Sequence, residues 1–297
     1  MIQQRNISKL ANRLYTEACD RVGKKLALRI QETTLERDYC LAWLLCSMTA
    51  HPVLSEALAF KGGTALRRVH FGEYRFSEDL DFTLIRDLTL DAIFSAFDEV
   101  FDKLYQESEI RFRRSDDEPT RHVRNDTFYL NYKGPLPAEN KVKVDVTRGE
   151  TVVFALERKP VLGTYDEFSD LPSDKLLQVY SFPEIVVEKA LAVTDGARRE
   201  PRDLYDLWYI SNEGHIPHGE DLIDGLNRKL ASREGRVDDV LVSRLEQVEK
   251  TLRQRWDHRL RAQVMSLPEF DGCYRDVKRL LSGFDKLRGT DREAAAD

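Results

Sequence analysis

Apolar residues recur at helical spacing through the first fifty positions. Leu10, Leu14, Ala18 and Val22 form one stripe, and Leu35 to Met48 carries a denser run that includes Trp43. His51-Pro52 ends that run, because the residue before a proline is pushed out of the α region. Ala57-Leu-Ala-Phe60 predicts a short buried strand entering a tight turn at Gly62-Gly63. Thr64 is placed to cap a short helix over Ala65 to Val69. Asp79-Leu-Asp-Phe-Thr-Leu-Ile85 alternates polar and apolar residues and then turns apolar, which predicts a strand with one wet face at its start. Helical spacing returns over Leu90 to Tyr105 with Ile93, Phe97, Val100, Phe101 and Leu104. Ile110 to Phe112, Thr127 to Tyr132 and Lys141 to Val146 predict further strands, the last two joined as a hairpin by Gly134-Pro-Leu-Pro137.

From about Leu176 the pattern becomes helical. Pro183 opens a helix through Val193 that Gly196 ends, and Pro201 opens another over Arg202 to Ile210. Leu241, Leu245, Val248, Leu252 and Trp256 mark a long amphipathic helix. Val277, Leu280 and Leu281 mark a last one. The expected class is α+β: a mixed sheet with flanking helices, followed by a helical C-terminal region. The expected division is a catalytic domain over 1–175, a helical domain over 176–284 and a flexible tail over 285–297.

Composition narrows the function classes. Of 297 residues, 41% are hydrophobic and 33% charged, a globular balance with a charged surface. No stretch approaches the ~20 apolar residues of a membrane helix. Met1-Ile-Gln-Gln-Arg-Asn6 shows no basic region before an apolar run. The expectation is a cytoplasmic protein without a membrane partner. Cys19, Cys40, Cys46 and Cys273 form no Cys-x-x-Cys pair, which argues against a structural zinc or a disulfide framework, and Cys40 and Cys46 read as buried hydrophobes. His215 and His218 have metal-like spacing but no third ligand nearby, so they read as loop histidines without metal. The net charge of −6 excludes a globally basic nucleic-acid binder. Two local clusters remain, Arg111 to Arg124 and Arg253 to Arg261, each readable as a solvated face or as an RNA-contacting patch.

The chemistry centres on Asp79-Leu-Asp81. Two carboxylates two apart on a strand share a face. Transfer of a phosphoryl or nucleotidyl group needs divalent cations, and magnesium binds through one or two carboxylates plus substrate phosphates. Lys61-Gly62-Gly63-Thr64 adds glycines that let backbone approach phosphate, with a hydroxyl as a further donor, but it is not a Walker A loop. Asp145, alternating with Val144 and Val146, is either a third carboxylate, if its strand lies beside that of Asp79, or an edge residue.

Phe60-Lys-Gly-Gly-Thr-Ala-Leu66, then Arg75-Phe-Ser-Glu-Asp-Leu-Asp-Phe82, then Lys189-Ala-Leu-Ala and Arg198 through Asp203-Leu-Tyr-Asp206-Leu-Trp-Tyr-Ile210 together resemble the AbiEii/AbiGii toxin family of nucleotidyltransferases. That family includes the mycobacterial MenT toxins. The resemblance spans roughly Glu36 to Ile210 and implies a polymerase-β-like fold. Where the family commonly has Gly-Ser, this chain has Gly63-Thr64, which keeps a hydroxyl. The resemblance also implies roles. Asp79 and Asp81 ligate Mg2+ or Mn2+; the strand pattern, not the resemblance, offers Asp145 as a third carboxylate for that metal. Lys61, Gly62, Gly63 and Thr64 bind the NTP, and Lys189 and Arg202 hold its triphosphate. Asp203 and Asp206 share a helix face; one is expected to serve the site, while the alternative is neutralisation of Arg199 and Arg202. The implied activity is transfer of NMP from an NTP to an acceptor hydroxyl, the 3′ end of tRNA for some relatives, by a toxin with a cognate antitoxin. The rival readings are a protein or small-molecule acceptor, and a non-catalytic RNA- or partner-binding protein.

Overall fold

Alternation along the strands builds a sheet with one apolar and one polar face. In the computed structural model, residues 1–294 are described except Asp174, His218, Gly219, Glu234, Gly235 and Val237; residues 295–297 and the side chains of Glu220 and 290–294 also lie outside the description. The chain forms two compact units. The first contains Met1–Glu150, Leu156–Tyr180 and Ala262–Ser266.

The first unit carries helices α1 (Gln4–Val22), α2 (Glu32–Thr49), α3 (Pro52–Ala57), α4 (Gly62–Ala65) and α5 (Leu90–Ser108). Its strands are β1 (Leu58–Lys61), β2 (Leu80–Leu84), β3 (Arg111–Arg114), β4 (Thr120–His122), β5 (Asn125–Lys133), β6 (Asn140–Thr147), β7 (Glu157–Pro160) and β8 (Leu176–Val179). They form one mixed sheet in the order β3-β5-β6-β2-β1-β8-β7, with β4 also on β5. Strand β2 runs antiparallel to β1 and parallel to β6. Leu58, Phe60, Leu80, Phe82, Phe128, Leu130, Val142, Val144 and Val146 enter one buried core with residues of α2 and α5. Phe94 meets Phe128 edge to face at 5.0 Å, and Phe101 stacks on Phe112 at 5.8 Å. Large rings on β-branched neighbours give this face its dense packing.

Several elements differ from expectation. His51-Pro52 ends α2 but also opens α3, with Pro52 in the first turn and the His51 side chain accepting from the Leu54 N–H. Leu176–Val179 is not helical; it is a strand, parallel to β1 and antiparallel to β7. A segment of only four residues, Leu-Leu-Gln-Val, is too short to show a period by which to tell strand from helix. Thr64 does not cap a helix starting at Ala65, because the helix already begins at Gly62 and continues as a π-helix over Leu66–Phe71.

The wider π turn lets consecutive arginines, Arg67 and Arg68, both point inward. Both meet Asp38, which stands inside the apolar run of α2: Arg67 Nε and Nη2 lie 2.8 Å from its two carboxylate oxygens, and Arg68 Nη2 lies 2.5 Å from Oδ2. Burial alone would raise the Asp38 pKa, but the two guanidiniums outweigh it and hold the carboxyl below its ordinary value. This fully buried cluster ties α2 to the π turn.

The second unit contains Thr151–Ala155, Ser181–Arg261 and Leu267–Asp297. Its helices are α6 (Phe182–Val193), α7 (Pro201–Asn212), α8 (Glu220–Ala231), α9 (Leu241–Leu260) and α10 (Phe270–Ala294). The stripe Leu241, Leu245, Val248, Leu252 and Trp256 is buried, as its spacing predicts. The expected flexible tail from Asp285 is helical as far as Ala294. No helix among the described residues is long and apolar enough to cross a membrane.

Candidate active site

The polar face of the first unit's sheet gathers most of the residues that the sequence singles out. Strand register places Lys61 opposite Asp81, Asp81 beside Asp145, and Asp145 opposite Thr127. Side chains across such neighbouring positions share a face, so these four make a transverse row. Asp79 lies one residue before β2 and, by the same alternation, projects beside the row. The condition set for Asp145, a strand adjacent to that of Asp81, is met.

Two glycines shape the turn ahead of this row, for different reasons. Gly62 has φ +78°, a conformation that side chains rarely adopt, and a Cβ there would stand 2.2 Å from Asp81 Oδ2. The Asp81 carboxylate is therefore packed against bare backbone. Gly63 is not left-handed, but a Cβ there would stand 2.5 Å from Arg75 Nη2 and 3.0 Å from Ser77 Oγ. The Thr64 hydroxyl donates to the Asp79 carbonyl at 2.5 Å, which commits its one proton to tying the turn to the start of β2. Lys61 Nζ donates to Thr147 Oγ1 at 3.0 Å and lies 5.7 Å from the centroid of the Tyr180 ring.

Asp145 is heavily engaged. Thr127 Oγ1 and Asn125 Nδ2 donate to its Oδ1, and Lys143 Nζ stands 2.5 Å from its Oδ2. Partial burial works against the Lys143 charge, but Asp145 first, then Asp79 and Asp81, hold that ammonium above its ordinary pKa. Lys143 thus belongs electrostatically to the carboxylate group. Its signal in the sequence is the two-residue offset from Asp145, which puts both on one face of β6.

A pair of hard oxygen donors, one cradled by a glycine, fits a magnesium or manganese ion. Among the described residues no group of three or more His, Cys, Asp or Glu side chains could hold a metal by itself. An ion on Asp79 and Asp81 would therefore complete its oxygen shell with substrate phosphates and water.

In the second unit, α6 and α7 bring Lys189, Asp203 and Asp206 together. Lys189 Nζ lies 2.7 Å from Asp203 Oδ1 and 2.6 Å from Asp206 Oδ2. All three residues are buried. The alternative reading of these aspartates is neutralisation of Arg199 and Arg202. Asp203 instead takes Arg198 at 2.6 Å, and Arg202 pairs with Glu200 at 3.3 Å. Burial would raise the Asp203 pKa, but Lys189 and Arg198 overcome it and hold it below the ordinary carboxyl value. His215 stacks on Phe182 with ring centroids 4.7 Å apart, while His218 lies outside the described residues.

Most of the clustered arginines face carboxylates. Arg113 pairs with Glu139 and Asp116, Arg114 with Asp98, Arg253 with Glu249 and Asp271, Arg259 with Glu200, and Arg261 with Asp257. Arg121 stands 3.7 Å from the highly exposed Asp91, and with Arg124 it flanks an exposed hairpin tip where Val123 is 97% exposed.

Residues 43–282 match the family model described as nucleotidyl transferase AbiEii toxin, Type IV TA system. No curated protein matches the chain in sequence. Among solved structures the chain is similar to MenT4, a nucleotidyltransferase toxin from Mycobacterium tuberculosis. The identity is 18%, the match covers 84% of this chain and 87% of that one, and the TM-score is 0.53. At that identity the likeness speaks for the fold. The family match spans most of the chain, and the chain belongs to the AbiEii nucleotidyltransferase toxin family: it is a nucleotidyltransferase of a toxin–antitoxin system, with a nucleotide substrate and an antitoxin partner.

Proposed function

We propose that this nucleotidyltransferase acts in the cytoplasm, transfers NMP from a metal-bound NTP to an acceptor hydroxyl, and takes the 3′ end of tRNA as that acceptor, so that translation stops. The observation that carries the reading is the row of Lys61, Asp81 and Asp145 beside Asp79, with the Asp81 carboxylate cradled by Gly62. A divalent ion held by Asp79 and Asp81 would neutralise the triphosphate and favour loss of a proton from the acceptor oxygen. The turn Gly62-Gly63-Thr64 lets phosphate oxygens approach backbone N–H groups closely, and Lys61 adds positive charge at the C-terminal end of β1. Lys143 balances the carboxylates and keeps Asp145 in place, which fits Asp145 as an orienting residue better than as a third ligand.

In the second unit, Lys189, Asp203 and Asp206 are proposed to act as a set, in which the aspartates hold the lysine in one orientation. For an RNA acceptor, the hairpin tip with Arg121 and Arg124 is favoured over Arg253, Arg259 and Arg261, each of which pairs with a carboxylate.

The test is incubation of the purified protein with each labelled NTP, magnesium or manganese, total tRNA and total cell protein. Label in the tRNA band, removed by 3′-exonuclease, supports the full reading. Label in protein bands alone would reassign the acceptor, and no metal-dependent label with any NTP would overturn the site.

A further inference from the structure

Arg75 is 4% exposed and Gln263 equally so, and they meet although the chain separates them by 188 positions. Arg75 Nη1 donates to Gln263 Oε1 at 3.0 Å and to the Phe76 carbonyl at 3.4 Å. The same guanidinium rests on Gly63, where a Cβ would lie 2.5 Å from Nη2 and 3.2 Å from Cζ. Gln263 belongs to the short segment Ala262–Ser266, which lies between α9 and α10 in sequence yet forms part of the first unit. Backbone bonds hold that segment: Phe76 N–H donates to the Gln263 carbonyl at 2.7 Å, and Leu28 N–H to the Met265 carbonyl at 2.8 Å.

We propose that Gln263 is a positioning residue of the nucleotide site: it fixes the Arg75 guanidinium against Gly63 and thereby sets the shape of the phosphate-facing turn. The reasoning is geometric. An arginine side chain has four flexible torsions, and one planar group packed on a glycine α-carbon stays there only if its donors are satisfied in that pose. Gln263 supplies an acceptor from outside the turn and its flanking strands. Without it, one buried N–H group loses an acceptor, and the guanidinium is held less firmly in its pose against Gly63. This proposal rests on the turn being the nucleotide site.

The experiment compares wild type, Gln263→Leu and Gln263→Glu. Leucine keeps the volume and the backbone bonds but removes the acceptor, and glutamate keeps the acceptor. Three quantities are read: the melting temperature, the Kd of an α,β-methylene NTP analogue with magnesium by calorimetry, and KM and kcat for transfer. Gln263→Leu is expected to melt within a few degrees of wild type, to bind the analogue about tenfold more weakly, and to raise KM more than it lowers kcat. Gln263→Glu is expected to return Kd to within about threefold of wild type. Equal Kd for wild type and Gln263→Leu overturns the proposal, as does a Gln263→Glu protein no better than the leucine variant. If Gln263→Leu does not fold, Gln263→Asn takes its place: its acceptor is one methylene short, so it must bind more weakly than Gln263→Glu. A wild type that binds no analogue overturns the nucleotide reading of the turn itself, and this proposal with it.

Discussion

Replacing Gly62 with alanine tests the placement of the Asp81 carboxylate. The new Cβ would stand 2.2 Å from Asp81 Oδ2, 2.9 Å from its Cγ and 3.0 Å from its Cβ, whereas ordinary contact begins near 3.4 Å. The carboxylate must therefore retreat by about 1.2 Å from its cradle. Asp81 can do this by leaving its rotamer, at about 0.5–1.5 kcal/mol. Alanine at φ +78° adds roughly 1–2 kcal/mol of strain, partly offset by about 0.4–1 kcal/mol from the stiffer unfolded chain. The net loss of stability is then about 0.5–3 kcal/mol, a fall in melting temperature of about 1–5 °C for a chain of this size. Activity responds more sharply, because a misplacement of ~1 Å in a reacting group costs on the order of 10²-fold in rate. The assay is metal-dependent transfer of labelled NMP at saturating NTP, beside a thermal melt of the same preparation. A Gly62→Ala protein that melts a few degrees low and turns over about hundredfold more slowly supports the reasoning. Turnover within about threefold of wild type would refute it, since the Asp81 carboxylate would then not need its present position. The double variant Gly62→Ala with Asp81→Ala separates the two stability terms: it removes the two closest overlaps, with Oδ2 and Cγ, leaves the 3.0 Å approach of the two Cβ atoms and keeps the backbone strain, so it should melt above Gly62→Ala.

Asp79→Asn and Asp81→Asn should each abolish transfer and weaken calorimetric Mg2+ or Mn2+ binding while the melting temperature holds; near-normal transfer by either at saturating metal would refute the ligand roles. Lys189→Met leaves Asp203 and Asp206 buried without their shared cation and should cost about 3–5 kcal/mol in denaturant unfolding, an effect that Lys189→Met combined with Asp203→Asn and Asp206→Asn should largely relieve. Because the folded pKa of Asp203 lies below its unfolded value, the pair's contribution is present above about pH 3.9 and is lost as pH falls through the folded pKa. Melts between pH 5 and 2 should therefore fall more steeply for wild type than for Asp203→Asn, and parallel curves would exclude this linkage. Charge reversal of Arg121 and Arg124 together should weaken tRNA use and flatten its salt dependence by about 0.7 in log–log slope per lost phosphate contact, with NTP affinity unchanged; an unaltered salt response would remove the hairpin from the acceptor surface.

The division between what is local and what is tertiary runs through the site itself. Alternation with period two put Asp81 on one face of its strand and Asp145 on the face opposite Val144 and Val146, and the glycine pair announced a turn before them; these are properties of a few consecutive residues, and they hold in the structure. The proline starts of α6 and α7 were readable for the same reason, since a proline restricts its own neighbours. Strand neighbours are another matter. That β2 lies between β1 and β6, and that Leu176–Val179 is a strand beside β1, depends on pairing between distant segments. Charges followed the same rule. Lys189 has the spacing of a surface residue, yet it is buried because α7 presents two aspartates to it. Arginine clusters that look basic in one dimension are largely neutralised by carboxylates from other elements. Arg75 sits in a motif readable from the sequence, but its partner Gln263 stands 188 positions away and carries no local pattern. A hydrogen bond depends on distance in space, and chain folding, which no short window contains, decides which groups come within 3 Å.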